Sequence, residues 1–224
     1  MNKSMSFDPV ALEYDFAAEI VNNNDFFLSR MSKAKTSVLD VGCGSGILAY
    51  ALSDHYDRVY GIDISEGMLE IARSKRHKPS IQYMQMNAEK MMFDQTFDLI
   101  VSRTTLHHIQ DKESLFEKMK HLLKDDGKIV LIDNVSKVPT PKRYLNVIGA
   151  HLEFVGNIKS YGFKTARRLY KHGLSKDWLD HLDHDVYLSQ EEATQLYHRH
   201  FPGCQLTRFA CFLGMEWQKD KKYE

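Results

Sequence analysis

Thr36-Ser37-Val38-Leu39-Asp40-Val41-Gly42-Cys43-Gly44-Ser45-Gly46-Ile47-Leu48 is the stretch that decides the fold. Val38, Leu39 and Val41 make a short apolar, partly β-branched run, as expected for a strand buried on both faces. Gly42, Gly44 and Gly46 follow at alternate positions, so the backbone can turn sharply and a ligand can approach it with no Cβ in the way. Ile47 to Leu52 has the apolar spacing of a helix opening straight after the bend, with its free N–H groups aimed back at it. Strand, glycine turn and helix together are the usual frame of a nucleotide pocket.

The glycines alone do not name the nucleotide. In a dinucleotide fingerprint the third glycine would stand where Ile47 does, and no G-K-[ST] follows to cradle a triphosphate. Asp40 would repel a pyrophosphate but could hold an amine. Working outward, Val59 to Ile64 reads as the second strand, and Asp63 lies 21 residues beyond Gly42. That is the spacing of the acid that takes both ribose hydroxyls in nucleoside-binding α/β sheets. Ser65 caps a helix through Lys75 with Met68, Ile71 and Ala72 on its inner face. Ile81 to Gln85 is a third strand. Phe97 to Ser102 is a fourth, running into Arg103-Thr104-Thr105-Leu106-His107-His108-Ile109 beside the topological switch point. Asp111 caps the next helix, and Asp125-Asp126-Gly127 turns into a fifth strand, Lys128 to Val135.

The string V-L-D-V-G-C-G-S-G resembles the first motif of class I S-adenosylmethionine-dependent methyltransferases, of the type 11/12-like small-molecule kind. The resemblance is specific over residues 36–135 and architectural over 7–219. It implies an α/β fold: a Rossmann-like, seven-stranded, doubly wound sheet with an antiparallel last strand and a helical cap inserted after strand five. It also implies S-adenosyl-L-methionine as cofactor and S-adenosyl-L-homocysteine as product. The cofactor contacts it implies are Asp40, Gly42, Cys43, Gly44 and Gly46 at the turn, and Asp63, Ile64 and Met68 around the ribose. Asn87 and Ala88 fall where the family carries Asp-Ala against the adenine; the Asn87 side-chain oxygen can still accept a hydrogen bond, without the charge. Tyr14, in a leading helix, falls where the family places a lid, and Arg103 would face the cofactor. His107 and His108 would lie near the transferred methyl, with His107 at the mouth. For a hydroxyl acceptor, His107, His108 or His151 could serve as base; an amine or activated carbon needs positioning alone.

Four segments are expected: a lid helix in 1–30, a cofactor-binding core in 31–137, an acceptor-binding helical cap in 138–188, and the closing helix and strands in 189–224. The leading helix is read over Phe7 to Arg30, capped by Asp8 and preceded by a frayed 1–6. In the cap, Leu145, Ile148, Leu152 and Val155 share helical spacing, and Tyr161 to His172 is a second helix. Tyr144, His151, Glu153, Tyr161, Arg167 and Tyr170 are its candidate acceptor contacts. Ser189 and Glu192 form a capping box for the last helix, and two strands, Cys204 to Phe209 and Phe212 to Gln218, close the chain.

No metal is expected. Asp133-Asn134 resembles the ligands of cation-dependent catechol-type O-methyltransferases, but those also need an Asp where Ser102-Arg103 stand. His181-Leu182-Asp183-His184 reads as an acid- and His-rich loop. Lys plus Arg equals Asp plus Glu at 30 each, so no basic face argues for nucleic acid, and the runs Lys75–Lys78 and Lys219–Lys222 read as solvated surface. No run of about 18 apolar residues suggests a membrane span and no signal peptide is visible. Cys43, Cys204 and Cys211 read as reduced, cytoplasmic thiols. The expected partner is a small-molecule methyl acceptor, with the chain a monomer or homodimer. A methyltransferase acting on protein or tRNA, and a non-catalytic cofactor-binding module, are the alternatives.

Overall fold

The computed structural model describes residues 7–21, 23–140 and 142–219. The expected frayed segment 1–6 and most of the basic run at 219–222 lie outside the described residues. Seven strands form one sheet: β1 (Ser37–Val41), β2 (Arg58–Asp63), β3 (Ile81–Gln85), β4 (Phe97–Arg103), β5 (Leu123–Asn134), β6 (Gln205–Phe209) and β7 (Phe212–Gln218). Their order is β3-β2-β1-β4-β5-β7-β6. β1 to β5 pair in parallel, and β7 runs antiparallel to both β5 and β6. This is the doubly wound sheet that the motifs predict, with the order of the strands reversing between β1 and β4.

Every residue of β1 is buried, and so are the first six of β4. The helices explain this. Among those around the sheet are α1 (Ala11–Val21), α2 (Asp25–Leu28), α3 (Ile47–Leu52), α4 (Glu66–Lys75), α5 (Lys112–His121) and α9 (Gln190–His200). Alternation of side chains along β1 sends Leu39 and Val41 to the face packed by Phe116 and Phe201, and Val38 to the face packed by Leu52 and Phe27. Each such fully buried side chain stabilises the fold by about 1.5–3 kcal/mol before entropy is counted. Three of the expected caps form. Ser65 Oγ accepts from Met68 N at 3.2 Å, Asp111 Oδ1 accepts from Ser114 N at 2.9 Å, and Ser189 and Glu192 make the reciprocal capping box.

Several expectations need correction. The leading helix is not continuous from Phe7 to Arg30: a 3-10 turn (Asp8–Val10) precedes α1, and α2 stands apart. Asn23 Oδ1 accepts from Asp25 N at 2.6 Å, a local bond that competes with the helical ladder. Asp8 does not cap its own helix. It reaches across to α4, where Oδ1 accepts from Ser65 Oγ at 2.5 Å and Gly67 N at 3.0 Å. Finally, β5 starts at Leu123, because Asp126 takes φ +62° and lets the Asp-Asp-Gly turn run on as an irregular part of the strand.

Between β5 and α9 lie three helices: α6 (Arg143–Tyr161), α7 (Phe163–Gly173) and α8 (Lys176–Leu182). The stretch around His181 is therefore the end of a helix, capped by Ser175 Oγ on Trp178 N, and not a loop. α6 buries none of its residues, and Leu145, Ile148, Leu152 and Val155 all stand exposed. α1 is tied to the core electrostatically. Asp15, fully buried, accepts from Arg76 Nη1 at 2.8 Å and pairs with Lys75.

Candidate active site

At the carboxyl ends of β1, β2 and β4 the chain encloses a cavity of about 400 Å³. That is within the range of small-ligand sites and stands where open α/β sheets hold their ligands. Its walls come from four stretches: the glycine turn, the end of β2 with the start of α4, the Asn87 turn after β3, and the segment after β4. Phe7 and Tyr14 close it from the N-terminal side.

The three glycines have positive φ (+73°, +53° and +81°), but they serve different ends. A Cβ on Gly42 would meet Thr105 at 2.2 Å, and one on Gly46 would meet the Tyr83 hydroxyl at 2.5 Å. Those two are glycine so that neighbours can pack. A Cβ on Gly44 would touch only Met68 Cε, at 3.1 Å. Gly44 is thus the bare backbone face presented to the cavity. Asp63 holds that face in place: Oδ2 accepts from Gly44 N at 2.8 Å and Oδ1 from Ser65 N at 2.9 Å. A carboxylate has about four lone-pair sites, so Asp63, on the cavity wall, keeps capacity for two hydroxyls.

A smaller lobe of about 50 Å³ adjoins this cavity, lined by Asp40, Tyr14, Gly42, Gly44, Arg103 and Thr104. Asp40 is 1% exposed, and neither carboxylate oxygen has a hydrogen-bond partner among the described residues. Burial pushes its carboxyl up to about 7, with the Arg103 guanidinium pulling the other way. A buried carboxylate that accepts no hydrogen bond from the described residues and lines such a lobe is the complement of a ligand cation. Arg103 itself is held by Asn24 Oδ1 at 2.8 Å and the Asn23 carbonyl at 3.1 Å, with its guanidinium 4.9 Å from the Phe27 ring centre. Thr104 follows with φ +48°, a strained setting for a β-branched residue, at the point where the chain leaves β4 for the cavity wall.

Of the residues expected from sequence, Tyr14, Gly42, Gly44, Asp63, Ile64, Met68, Asn87, Ala88 and Arg103 all line the main cavity. Asp40 and Cys43 line only the smaller lobe. The Cys43 sulfur packs toward Gly61, where a Cβ would come within 2.9 Å of it, and burial raises its thiol well above the usual range. Gly46 lines neither; it opens α3 beneath Tyr83. The Asn87 oxygen already accepts from Glu89 N at 2.8 Å, with one lone pair to spare.

The histidines divide differently from expectation. His108, not His107, lines the cavity. His107 sits behind it, 8% exposed, its Nδ1 2.7 Å from Asp133 Oδ1. Burial pulls the His107 imidazole down, but the adjoining Asp133 outweighs it and holds it above the ordinary value. His108 is pushed down to about 2 by burial, with His107 and His181 opposing its charge, so it stays neutral. His151 is exposed on α6, bonded to the Val147 carbonyl at 2.7 Å and to Tyr170 Oη at 2.9 Å, and lines no part of the cavity. The other cap candidates, Tyr144, Glu153, Tyr161, Arg167 and Tyr170, also stand outside its walls. Sequence reasoning missed Phe7, Thr104, Thr105 and Gln110 as wall residues. Nothing in local composition marks them: Thr104, Thr105 and Gln110 are placed by the chain leaving β4, and Phe7 by the N-terminal segment reaching over the cavity.

A methyltransferase-domain family model matches residues 39–131. Over 155 residues the chain is 34% identical to the ubiquinone biosynthesis O-methyltransferase of Actinobacillus pleuropneumoniae, covering 65% of this chain and 64% of that one. Over 113 residues it is 37% identical to phosphoethanolamine N-methyltransferase 3 of Arabidopsis thaliana, covering 49% and 23%. The chain spans less than two thirds of the length of the curated relatives it matches. The S-adenosylmethionine-dependent methyltransferase of Mesorhizobium loti shares the fold at TM-score 0.62 and 18% identity, over 89% of this chain and all of that one. The matched segment is the one that builds the glycine turn, the β2 acid and the β4 exit around this cavity, and over it the chain is similar to the S-adenosylmethionine-dependent methyltransferases.

Proposed function

We propose that this protein binds S-adenosyl-L-methionine in the cavity and transfers its methyl group to a small-molecule acceptor admitted beside His108. The observation that carries the cofactor reading is the pairing of a bare, buried Asp40 with the open Gly44 backbone, one suited to an amino-acid ammonium and the other to close approach by a nucleoside. When bound, that cofactor supplies an electrophilic methyl on a sulfonium. Asp63 would hold the ribose hydroxyls, Asp40 the ammonium, and Asn87 and Ala88 the adenine edge. Met68, 2% exposed, gives an apolar wall. Phe7 and Tyr14, reaching over from the N-terminal segment, exclude water from that end.

Catalysis then rests mainly on aligning the acceptor. Neutral His108 can hold an acceptor proton in a hydrogen bond. Its low basicity favours acceptors that need no strong base. We read α6–α8 as the acceptor cap and the Phe7–Tyr14 segment as a lid; α7 packs on α1, and α8 on the 3-10 turn at Asp8–Val10. The named relatives include both O- and N-methyltransferases, so small-molecule chemistry is shared while the acceptor atom is not. Calorimetry with S-adenosylhomocysteine tests the cofactor site: saturable binding to the wild type and none to Gly44→Arg supports it, and equal binding to both refutes it. Mass spectrometry of methylated products from an amine and phenol panel tests the transfer; binding with no product from any acceptor would leave a binding module instead.

A further inference from the structure

Behind the cavity wall, His107, His108 and Asp185 converge, although 77 residues of sequence separate the last two. One ligand atom from each lies within 4.8 Å of the others. His107 Nε2 is 3.9 Å from Asp185 Oδ2, and His108 Nδ1 is 3.3 Å from Asp185 Oδ1. Asp185 is 2% exposed and His107 8%. We propose that His107 Nε2, His108 Nδ1 and the Asp185 carboxylate form a three-ligand site for a divalent ion of the zinc type.

Three observations support it. Tetrahedral ligation at the usual 2.0–2.2 Å would set ligand atoms about 3.4 Å apart; His108 Nδ1 already stands 3.3 Å and His107 Nε2 3.9 Å from the Asp185 oxygens, and the widest pair of the cluster, within 4.8 Å, closes by at most about 1.4 Å. The supporting contacts are already built. His107 Nδ1 is occupied by Asp133 at 2.7 Å, which leaves Nε2 for an ion, and Tyr187 Oη donates to Asp185 Oδ2 at 2.7 Å. A carboxylate behind a ligating imidazole is the common outer shell of zinc sites. Lastly, Asp185 Oδ1 is buried and accepts no hydrogen bond from any described residue. Hydrogen bonding within the cluster therefore does not account for that oxygen, whereas a cation would.

Two nitrogens and a carboxylate suit zinc or cobalt rather than magnesium or calcium, which take all-oxygen shells. His107 and His108 lie on the 3-10 turn after β4, and Asp185 on the connection after α8. An ion there would tie the inserted helices to the core, with His108 placing it next to the cavity and a coordination position open. His181 Nε2 lies 3.8 Å from Asp185 Oδ1, a neighbour of the site outside the three-atom cluster. This differs from the metal considered at Asp133-Asn134, since Asp133 here supports a ligand and is not one.

The test uses untagged, full-length protein stripped with chelator and titrated with Zn²⁺ by calorimetry and Co²⁺ by visible absorption. The expected result is one ion per chain and, at a hundredfold excess over Kd, a rise in melting temperature of about 5–10 °C. His107→Ala and Asp185→Asn are each expected to abolish the tight site. Asp133→Asn, which spares all three ligands, should weaken it about 10–100-fold. His151→Ala should bind as wild type does. S-adenosylhomocysteine binding by each variant shows whether it is folded, independently of the metal. No saturable binding to the wild type overturns the proposal. So does an affinity unchanged in folded Asp185→Asn or, should that variant fail to fold, in Asp133→Asn.

Discussion

Asp40 offers the sharpest test of the proposed cofactor site. Its carboxyl is buried, has no hydrogen-bond partner among the described residues, and is pushed up to about 7 by burial. Pairing with an amino-acid ammonium requires the ionised form. With the carboxyl near 7, about nine tenths is ionised at pH 8 and about one tenth at pH 6. Apparent affinity scales with the competent fraction, so S-adenosylhomocysteine should bind about tenfold more weakly at pH 6 than at pH 8. Asp40→Asn removes the charge and should weaken binding at pH 8 by about 1.5–3 kcal/mol, roughly 10–150-fold. It should also flatten the pH dependence. The same shift has a consequence for stability without ligand. A carboxyl whose folded value is raised above its unfolded value of about 3.9 contributes stability that is fully present below that lower value and lost as pH rises through the folded one. The wild-type melting temperature should therefore fall relative to Asp40→Asn between about pH 4 and 8. His107, also raised, titrates in both proteins and cancels in the comparison. Isothermal calorimetry and thermal scans on the two proteins at matched pH give both readings. Identical pH profiles for wild type and Asp40→Asn would refute the reasoning.

The second and third glycines of the turn should separate stability from binding. Gly46→Ala forces a Cβ against Tyr83 at φ +81° and should cost about 1–3 kcal/mol in urea unfolding. Gly44→Ala meets only Met68 Cε, so it should unfold within about 1–2 kcal/mol of wild type but lose S-adenosylhomocysteine affinity in calorimetry. His108→Ala should lower turnover with cofactor affinity nearly unchanged, whereas His151→Ala, on the outside of α6, should alter neither; steady-state kinetics with calorimetry reads both. Asp15→Ala leaves Arg76, 6% exposed, without its buried partner and should destabilise the chain by about 3 kcal/mol in denaturant unfolding. That is the low end for a broken buried pair, because Glu19 and the Ser45 carbonyl still engage Arg76.

Local sequence was sufficient for β1, the glycine turn, α3 and the Asp63 position, because each follows from short-range rules: an apolar run, φ > 0, a cap, a spacing. It was also sufficient for the order of elements along the chain, whereas the antiparallel end of the sheet came from the resemblance of the motifs to a known family. Sequence could not distinguish three glycines of one spacing. Which one bares its backbone to a ligand depends on Thr105 and Tyr83 arriving from β4's exit and β3. Nor could it choose between adjacent histidines. In the 3-10 turn at Leu106–His108 the two rings lie side by side, 4.0 Å between centres, and Asp133 on β5 holds His107 behind while His108 meets the cavity. Tertiary packing alone brought Asp185 to that pair, closing a distance in sequence that no periodicity spans. The backbone of the cofactor half is written in nearest neighbours; the chemistry beside it depends on which side chains the folded sheet sets face to face.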